Sequence, residues 1–459
     1  MADHYHAKHG STSGSVIAMR IIIIVLVVAL FAGGAWGVYR FVLTPAETAP
    51  TEASIPTIAT IPTLQPPPTH PPTEPPAPDY LEDAKKTLAT MSLDEKIAQL
   101  FIVTPEGLTG VDVATIAGDT TKQMLEKYPV GGIIYSTPNM EDKDQLSEMI
   151  RNTQSFSKLP LLICVDEEGG DVARVADALD ETKLKPMFSY KDVDVSTASQ
   201  NAKLIASYLV KYGFNTDFAP VADVWTNEDN TVIGNRAYSD DYEKAAERVA
   251  AAVESFDKNG ITTTLKHFPG HGDTEEDSHE EAAVLNKTYE ELEKGELLPF
   301  KKGIDAGADM VMVGHIKVPS IDKDMPATLS KTIVPEILRK DLKFDGVVVT
   351  DSLTMGALKN YSTEEIVKGL FDADIDLFLM PGDLEEYIST IKGFVDDETI
   401  TQQQIDEKVT RILQLKYKNG ILKSAQNSTE PTAQNSTVAT SSTEPQEETK
   451  ISAITVTNE

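Results

Sequence analysis

The sequence predicts an α/β protein built as a single (β/α)8 barrel, and three observations lead to this prediction. Between residues 80 and 424, eight short apolar runs alternate with eight longer amphipathic stretches. The apolar runs are continuous rather than alternating, as expected of parallel strands that are covered on both faces. Eight strand–helix pairs in this length of chain fit a barrel of this type.

Each element of the barrel can be placed in chain order. The predicted strands are Ile97–Val103, Gly131–Tyr135, Leu161–Val165, Thr216–Val221, Thr263–His267, Met310–His315, Val347–Asp351 and Leu377–Met380. The predicted helices are Thr120–Lys127, Asp142–Gln154, Thr197–Tyr212, Tyr242–Asn259, Tyr289–Ala306, Lys331–Arg339, Thr363–Ala373 and Ile405–Tyr417. Active sites of such barrels lie at the C-terminal ends of the strands, so polar residues there are the first functional candidates. These residues are Asp166, Asp223, Lys266, His267, His315, Asp351 and Asp383.

Ahead of the barrel, the sequence predicts a membrane anchor. Residues 1–20 are polar, and residues 21–43 form an apolar stretch interrupted by Arg40. At about 1.5 Å per residue, this stretch is long enough to cross a hydrocarbon core of about 30 Å. We therefore expect a cytoplasmic N-terminus, a single-pass anchor and an extracellular catalytic domain. Cleavage of the apolar segment would instead release a secreted protein.

Two low-complexity segments flank the predicted domain. Residues 44–79 contain 12 of the 26 prolines and no Lys or Arg, which is typical of an extended linker. Residues 425–459 are rich in Ser, Thr and Glu and predict a disordered tail. The folded domain is therefore predicted to span residues 80–424.

Charge and cysteine content exclude several classes of function. The formal charge of −31 argues against a nucleic-acid partner, because phosphate binding needs clustered Lys and Arg. The single cysteine, Cys164, cannot form an internal disulfide or a thiolate metal cluster. It lies in an apolar run, where we expect it to be a small buried hydrophobic residue.

The segment from Lys266 to His279 carries three histidines and two aspartates within 14 residues. Imidazole and carboxylate groups can bind metals, but the spacing is not that of a helical zinc site and the Gly and Pro residues predict a loop. We predict no metal and no other cofactor. A loop that carries Asp277 and His279 suits a proton-transfer group that moves over a bound substrate.

Asp351 is the second chemical feature. It follows the uncharged run Val347–Thr350 at the mouth of a predicted strand, where a carboxylate is well placed to attack an electrophilic carbon. Taken alone, it would be interpreted as an aspartate that caps the next helix.

Five segments together resemble glycoside hydrolase family 3, and specifically its bacterial β-N-acetylglucosaminidase branch. The segments are Asp166–Gly170, Gly234–Arg236, Lys266–Thr274, Asp277–His279 and Thr350–Leu353. The resemblance covers the whole 80–424 unit in the same order. It implies a retaining hydrolase for terminal β-linked N-acetylglucosamine, acting on peptidoglycan fragments or related glycans.

The resemblance also implies residue roles. Asp351 would be the nucleophile, His279 the general acid/base and Asp277 its orienting partner. The residues that would bind the sugar are Asp166, Arg174, Arg236, Lys266 and His267. Two positions depart from the family pattern, since Glu167 stands where glutamine is common and Asp171 where arginine is common.

Three alternative functions remain open at this point. A phosphorylase would use phosphate in place of water on the same glycosides. A surface protein that only binds sugar would have kept recognition without catalysis. A serine β-lactamase is formally suggested by Ser389-Thr-Ile-Lys392, although the companion motifs are missing.

Overall fold

Eight parallel strands form the centre of the computed structural model, which describes residues 80–274 and 283–424. The strands are β1 Phe101–Val103, β2 Gly132–Ile134, β3 Leu162–Val165, β4 Thr216–Asp217, β5 Thr264–Phe268, β6 Met310–Val313, β7 Val347–Thr350 and β8 Phe378–Leu379. Each strand lies within one of the eight predicted apolar runs or extends it by one residue. The residues of β3, β6 and β7 are buried throughout, which explains why these runs are continuously apolar.

Pairing between neighbours closes the strands into a ring. One group has the order β8-β1-β2-β3-β4 and a second has the order β7-β6-β5, with all pairs parallel. Parallel bridges from Thr216 to Thr262 and from Val221 to Lys266 join β4 to β5, and a bridge from Val349 to Leu377 joins β7 to β8. The prediction of an α/β fold is confirmed, and the pairing describes the expected barrel.

Helices connect successive strands. Their bounds are Leu81–Leu88, Leu93–Gln99, Pro105–Thr109, Asp119–Lys127, Lys143–Phe156, Arg174–Leu179, Ser196–Tyr212, Tyr242–Lys258, Tyr289–Lys294, Leu297–Asp305, Thr363–Asp372, Leu384–Asp396 and Gln402–Lys418, with a π-helical segment at Ile333–Asp341. The predicted helix Tyr289–Ala306 is wrong in one respect, because it is broken near Gly295. A Cβ atom at that glycine would lie 2.9 Å from the ring of Tyr242.

Two further sequence predictions need correction. The first predicted strand began at Ile97, but Ser92 and Glu95 form a capping box that starts a helix running to Gln99. Asp383 was a candidate functional residue at a strand end. Its side chain instead accepts a hydrogen bond from the backbone N–H of Glu386 and caps a helix that the sequence analysis did not predict.

A buried ionic cluster lies on the chain just before β8. Asp376 is fully buried and its carboxylate accepts hydrogen bonds from Arg339 and Arg411, each at 2.7 Å. It also accepts the backbone N–H of Val348 in β7 at 2.8 Å. Cys164 in β3 is buried as predicted, and burial raises the pKa of its thiol.

Within residues 80–274 and 283–424, none of the helices has the length and apolar character needed to cross a bilayer. The predicted N-terminal segment 1–20, the anchor 21–43, the linker 44–79 and the tail 425–459 lie outside the described residues.

Candidate active site

A cavity of about 650 Å³ opens at the C-terminal end of the strand ring, and residues at or after all eight strands line it. Six of the eight residues to which the resemblance assigns a role are among them. They are Asp166, Arg174, Arg236, Lys266, His267 and Asp351. The other two, Asp277 and His279, belong to residues 275–282 and lie outside the described residues.

A buried ionic network occupies one side of the cavity. The Nζ atom of Lys266 in β5 lies 2.6 Å from Asp166 Oδ1 and 2.6 Å from Glu168 Oε1. The Nε and NH2 groups of Arg236 donate to the two oxygens of Glu168 at 2.8 and 2.7 Å. Burial alone would raise the pKa of Glu168, but the charges of Arg236 and Lys266 hold it well below its usual range. Glu168, Arg236 and Lys266 are therefore charged, and their hydrogen bonds hold them in one arrangement.

Glu168 was not predicted as a site residue from the sequence, although the alternation of side chains along a strand indicates that it shares a face with Asp166. Glu167–Gly169 forms a short antiparallel ribbon with Val172–Ala173 directly after β3. Because side chains alternate along a strand, Asp166 and Glu168 face the same side. Both line the cavity, whereas Glu167 is not part of its wall.

His267 is fixed by a buried aspartate. Its Nδ1 atom lies 2.7 Å from Asp223 Oδ2, and its backbone N–H donates to the same carboxylate. The backbone N–H of His271 donates to Asp223 Oδ1 at 2.6 Å. Burial would raise the pKa of Asp223, but the electrostatic interaction and the hydrogen bond with His267 lower it. The ionised carboxylate therefore places the proton on Nδ1 and leaves Nε2 for a ligand.

Asp351 lies at the end of β7. Its backbone N–H donates to Val313 O of β6, and its Oδ1 accepts the N–H of Ser352 at 2.7 Å. Burial would raise the pKa of Asp351, but electrostatic interactions with the imidazoles of His267 and His315 lower it. The next helix of the barrel is capped by Ser362. Asp351 is therefore an ionised carboxylate in the cavity wall and not the cap of that helix.

His315, selected only as a strand-end residue, lies behind Asp351. It is fully buried, with Nδ1 2.8 Å from Thr328 Oγ1 and Nε2 3.0 Å from the carbonyl oxygen of Ser352. A carbonyl can only accept, so Nε2 carries a proton. This hydrogen bond fixes the backbone that follows Asp351.

Arg174 is a cation available to a ligand. It is exposed at the cavity and is the first residue of the helix Arg174–Leu179. Across the described part of the chain, its guanidinium makes no hydrogen bond or ion pair. It differs in this respect from Lys266 and Arg236, whose charges are already paired.

The last described residues before position 275 contact the cavity wall. His271 lines the cavity, and its Nδ1 lies 2.7 Å from the buried hydroxyl of Thr274, the last described residue before the gap. After the gap, Ala283 pairs with Ile316 beyond β6. In the described ranges, no group of three or more His, Cys, Asp or Glu side chains is arranged to hold a metal ion.

Comparisons with curated proteins give a consistent picture. Residues 92–415 match the glycosyl hydrolase family 3 N-terminal domain. The β-hexosaminidase of Nitrosomonas eutropha is 35% identical over 261 residues, which cover 55% of this chain and 74% of that protein. Beta-hexosaminidase A of Pseudoalteromonas piscicida is 31% identical over 326 residues, or 64% of this chain. The chain spans only 54% of that relative.

Solved structures agree with this assignment. A family 3 β-N-acetylglucosaminidase from Paenibacillus sp. superposes with a TM-score of 0.68 at 33% identity, covering 72% of this chain and 63% of that chain. Beta-glucoside phosphorylase BglX superposes with a TM-score of 0.66 at 25% identity, covering 74% of this chain and 60% of that chain. The chain belongs to glycosyl hydrolase family 3.

Proposed function

We propose that the protein is a retaining β-N-acetylhexosaminidase that removes terminal β-linked N-acetylglucosamine from peptidoglycan fragments or related glycans. One observation carries the proposal: the ionised carboxylate of Asp351 shares a cavity with the network of Asp166, Glu168, Arg236 and Lys266. The β-hexosaminidases among the relatives support this choice of sugar.

The proposed reaction has two steps. Asp351 attacks the anomeric carbon and forms a glycosyl-enzyme while His279 gives a proton to the departing oxygen. His279 then takes a proton from water, which releases the sugar with its original configuration. Imidazole can serve as acid and then as base because it titrates near neutrality. Asp277 would hold the imidazole in the required tautomer.

Sugar binding would use groups that are already oriented. The side chain of Lys266 is 2% exposed and is held by two carboxylates, so it does not need to be ordered when a sugar hydroxyl arrives. Asp166 is less buried and offers its second oxygen, while His267 offers Nε2. Arg174 adds a cation at the mouth of the site.

The decisive experiment is hydrolysis of p-nitrophenyl β-N-acetylglucosaminide by the full chain. Asp351→Asn should abolish turnover, and proton NMR of the wild-type reaction should show the β-anomer of the product first. Asp383→Asn is a matched control, since it changes a strand-end aspartate outside the cavity. An inactive wild-type protein that still binds N-acetylglucosamine would be a sugar-binding protein, and first release of the α-anomer would exclude the retaining mechanism.

A phosphorylase is the second candidate, because one similar solved structure is a β-glucoside phosphorylase. A histidine acid/base would tolerate an anionic nucleophile better than a carboxylate would. Turnover should be compared with and without inorganic phosphate. Accumulation of N-acetylglucosamine 1-phosphate, with little free sugar, would establish the phosphorylase.

We also propose that residues 21–43 hold the enzyme in the cell membrane with its catalytic domain outside. The apolar stretch in the sequence supports this. Val27→Asp together with Leu30→Asp should move the protein out of the carbonate-resistant membrane fraction. If the wild-type protein is already extracted by carbonate, the anchor is wrong.

A further inference from the structure

Glu167 is a buried carboxylate that the proposed reaction does not use. It is fully buried, although it lies between two residues that line the cavity. Its side chain points to the opposite side of the Glu167–Gly169 strand, against the helix Arg174–Leu179. A buried carboxylate needs hydrogen-bond donors, and the identity of these donors indicates its role.

The donors come from the first turn of that helix. Glu167 Oε2 accepts the backbone N–H of Val175 at 2.6 Å, and Oε1 accepts that of Ala176 at 3.2 Å and the hydroxyl of Tyr208 at 2.8 Å. The first N–H groups of a helix have no partner within the helix. The preceding residue, Ala173, has no side chain that can supply one. Glu167 therefore caps the helix from a neighbouring strand.

The capped helix begins with Arg174, the exposed cation at the cavity that makes no hydrogen bond or ion pair with the described residues. The next two residues of the chain, Val175 and Ala176, are the ones that Glu167 holds. The carboxylate of Glu167 thus fixes the backbone that follows Arg174.

We propose that Glu167 is a positioning residue that holds Arg174 in place to bind the sugar substrate. The inference rests on the proposed function and adds to it a residue that never touches the sugar. Its effect should fall mainly on KM, since Arg174 binds the sugar away from the bond that is cleaved.

The surroundings of Glu167 predict a pH dependence. Burial raises the pKa of Glu167 to about 7, with a further contribution from Asp177 on the capped helix. Asp217 in β4 accepts the backbone N–H of Glu167 at 2.9 Å, and Tyr208 faces it from the helix Ser196–Tyr212. Hydrogen bonds to an ionised carboxylate are stronger than those to a neutral one. Affinity for the sugar should therefore weaken as the pH falls through about 7.

A double-mutant cycle tests the proposal. Arg174→Met and Glu167→Ala should each raise KM for p-nitrophenyl β-N-acetylglucosaminide roughly tenfold, with kcat changed by less than about threefold. The double variant should be no worse than Arg174→Met, because the carboxylate acts through the arginine. Additive effects on KM, or an effect of Glu167→Ala confined to kcat, would overturn the inference.

A conservative variant separates positioning from folding. Glu167→Gln keeps one acceptor oxygen and cannot ionise, so it should raise KM less than Glu167→Ala does, to about the value of the wild-type protein at about pH 6, and should reduce the rise in KM between about pH 8 and pH 6. Glu291→Gln is the matched control: Glu291 accepts a backbone N–H at the start of another six-residue helix, Tyr289–Lys294. The Glu291→Gln variant should keep the wild-type dependence of KM on pH. A wild-type profile in Glu167→Gln would contradict the inference.

Two further measurements keep the result decisive. If Glu167→Ala does not fold, as judged by its Tm, Arg174→Met alone should reduce the rise in KM below about pH 7, and an unchanged rise would count against the proposal. If the wild-type protein does not hydrolyse the substrate, the proposed function fails. The same variants are then tested by calorimetric titration with N-acetylglucosamine, where binding that is independent of Glu167 would refute its role.

Discussion

Lys266 and Glu168 form an ion pair of 2.6 Å beneath the cavity, and the side chain of each is only 2% exposed. Such a pair is not a source of much net stability, because both charges have lost their water. Its importance lies in what happens when one partner is removed. The remaining buried charge then keeps only its second partner, which is Arg236 for Glu168 and Asp166 for Lys266, so the two residues depend on each other.

Lys266→Met should accordingly destabilise the fold by about 1–3 kcal/mol, since Asp166 loses its ammonium partner and Glu168 keeps only Arg236. Urea unfolding monitored by circular dichroism measures this. The control is Lys340→Met, which removes an exposed pair with Glu336 and should leave the stability nearly unchanged. If the two substitutions lower the free energy of unfolding equally, Lys266 does not stabilise the buried carboxylates as described.

His279→Ala should slow hydrolysis of alkyl glycosides by roughly 10²–10⁴-fold, because their leaving oxygen needs a proton. Formation of the glycosyl-enzyme from an aryl glycoside with a good leaving group should be much less affected. Pre-steady-state release of p-nitrophenol distinguishes the two steps. If the first step slows equally for both types of glycoside, His279 is not the acid.

Asp223→Asn should raise KM by roughly 10–100-fold, since the amide no longer fixes the Nδ1 proton of His267 and places an NH2 group near backbone donors. Asp217→Asn is a close control. Burial raises the pKa of Asp217 well above its ordinary value, so that replacing this carboxyl by an amide should remove less negative charge than at Asp223. Steady-state kinetics should therefore show a large increase in KM for Asp223→Asn and a small increase for Asp217→Asn. The reverse order would contradict the assigned charges.

Lys416 gives a prediction about stability and pH. It is fully buried, its Nζ donates to Gln99 at 2.9 Å, and burial lowers its pKa to about 7. The unfolded chain binds this proton up to about pH 10.4, so stability should rise as the pH increases from about 7 to about 10. Below about pH 7 the buried ammonium is charged and its full cost of several kcal/mol is present.

Lys416→Met should therefore stabilise the protein by a few kcal/mol at about pH 6, and the gain should shrink towards pH 10. Thermal unfolding at the two pH values measures this. Lys418→Met is the control, because Lys418 is half-exposed and paired with Asp309. If Lys416→Met increases the stability equally at both pH values, the lysine does not lose its proton in the folded protein.

The barrel strands and four residues of the cavity, Asp166, Lys266, His267 and Asp351, could be predicted from local signals, whereas Arg174 and Arg236 were implied only by the resemblance. Continuous apolar runs mark buried parallel strands, and Asp166, Lys266 and Asp351 each stand at the end of one. Contacts between residues that lie far apart in the sequence could not be predicted. Asp166 and Lys266 are 100 residues apart, and only the closed ring brings them to hydrogen-bonding distance.

The errors have local physical causes. The prediction for Asp383 is wrong because the helix that it caps leaves no clear signal in the sequence. A single sequence does not distinguish an aspartate that caps a helix from a catalytic aspartate at a strand end. Glu168 was overlooked because the short ribbon after β3 was not predicted, so its shared face with Asp166 was not apparent.

That ribbon also limits how the sequence can vary. Asp166, Glu167 and Glu168 are three consecutive acidic residues, but two serve the cavity and the middle one holds the helix behind it. Deleting or inserting one residue between β3 and the ribbon would exchange the two faces. The overall charge and composition would hardly change, yet the sugar site would lose both partners of Lys266 and the helix would lose its cap. Register, rather than acidity, is the property that this segment has to preserve.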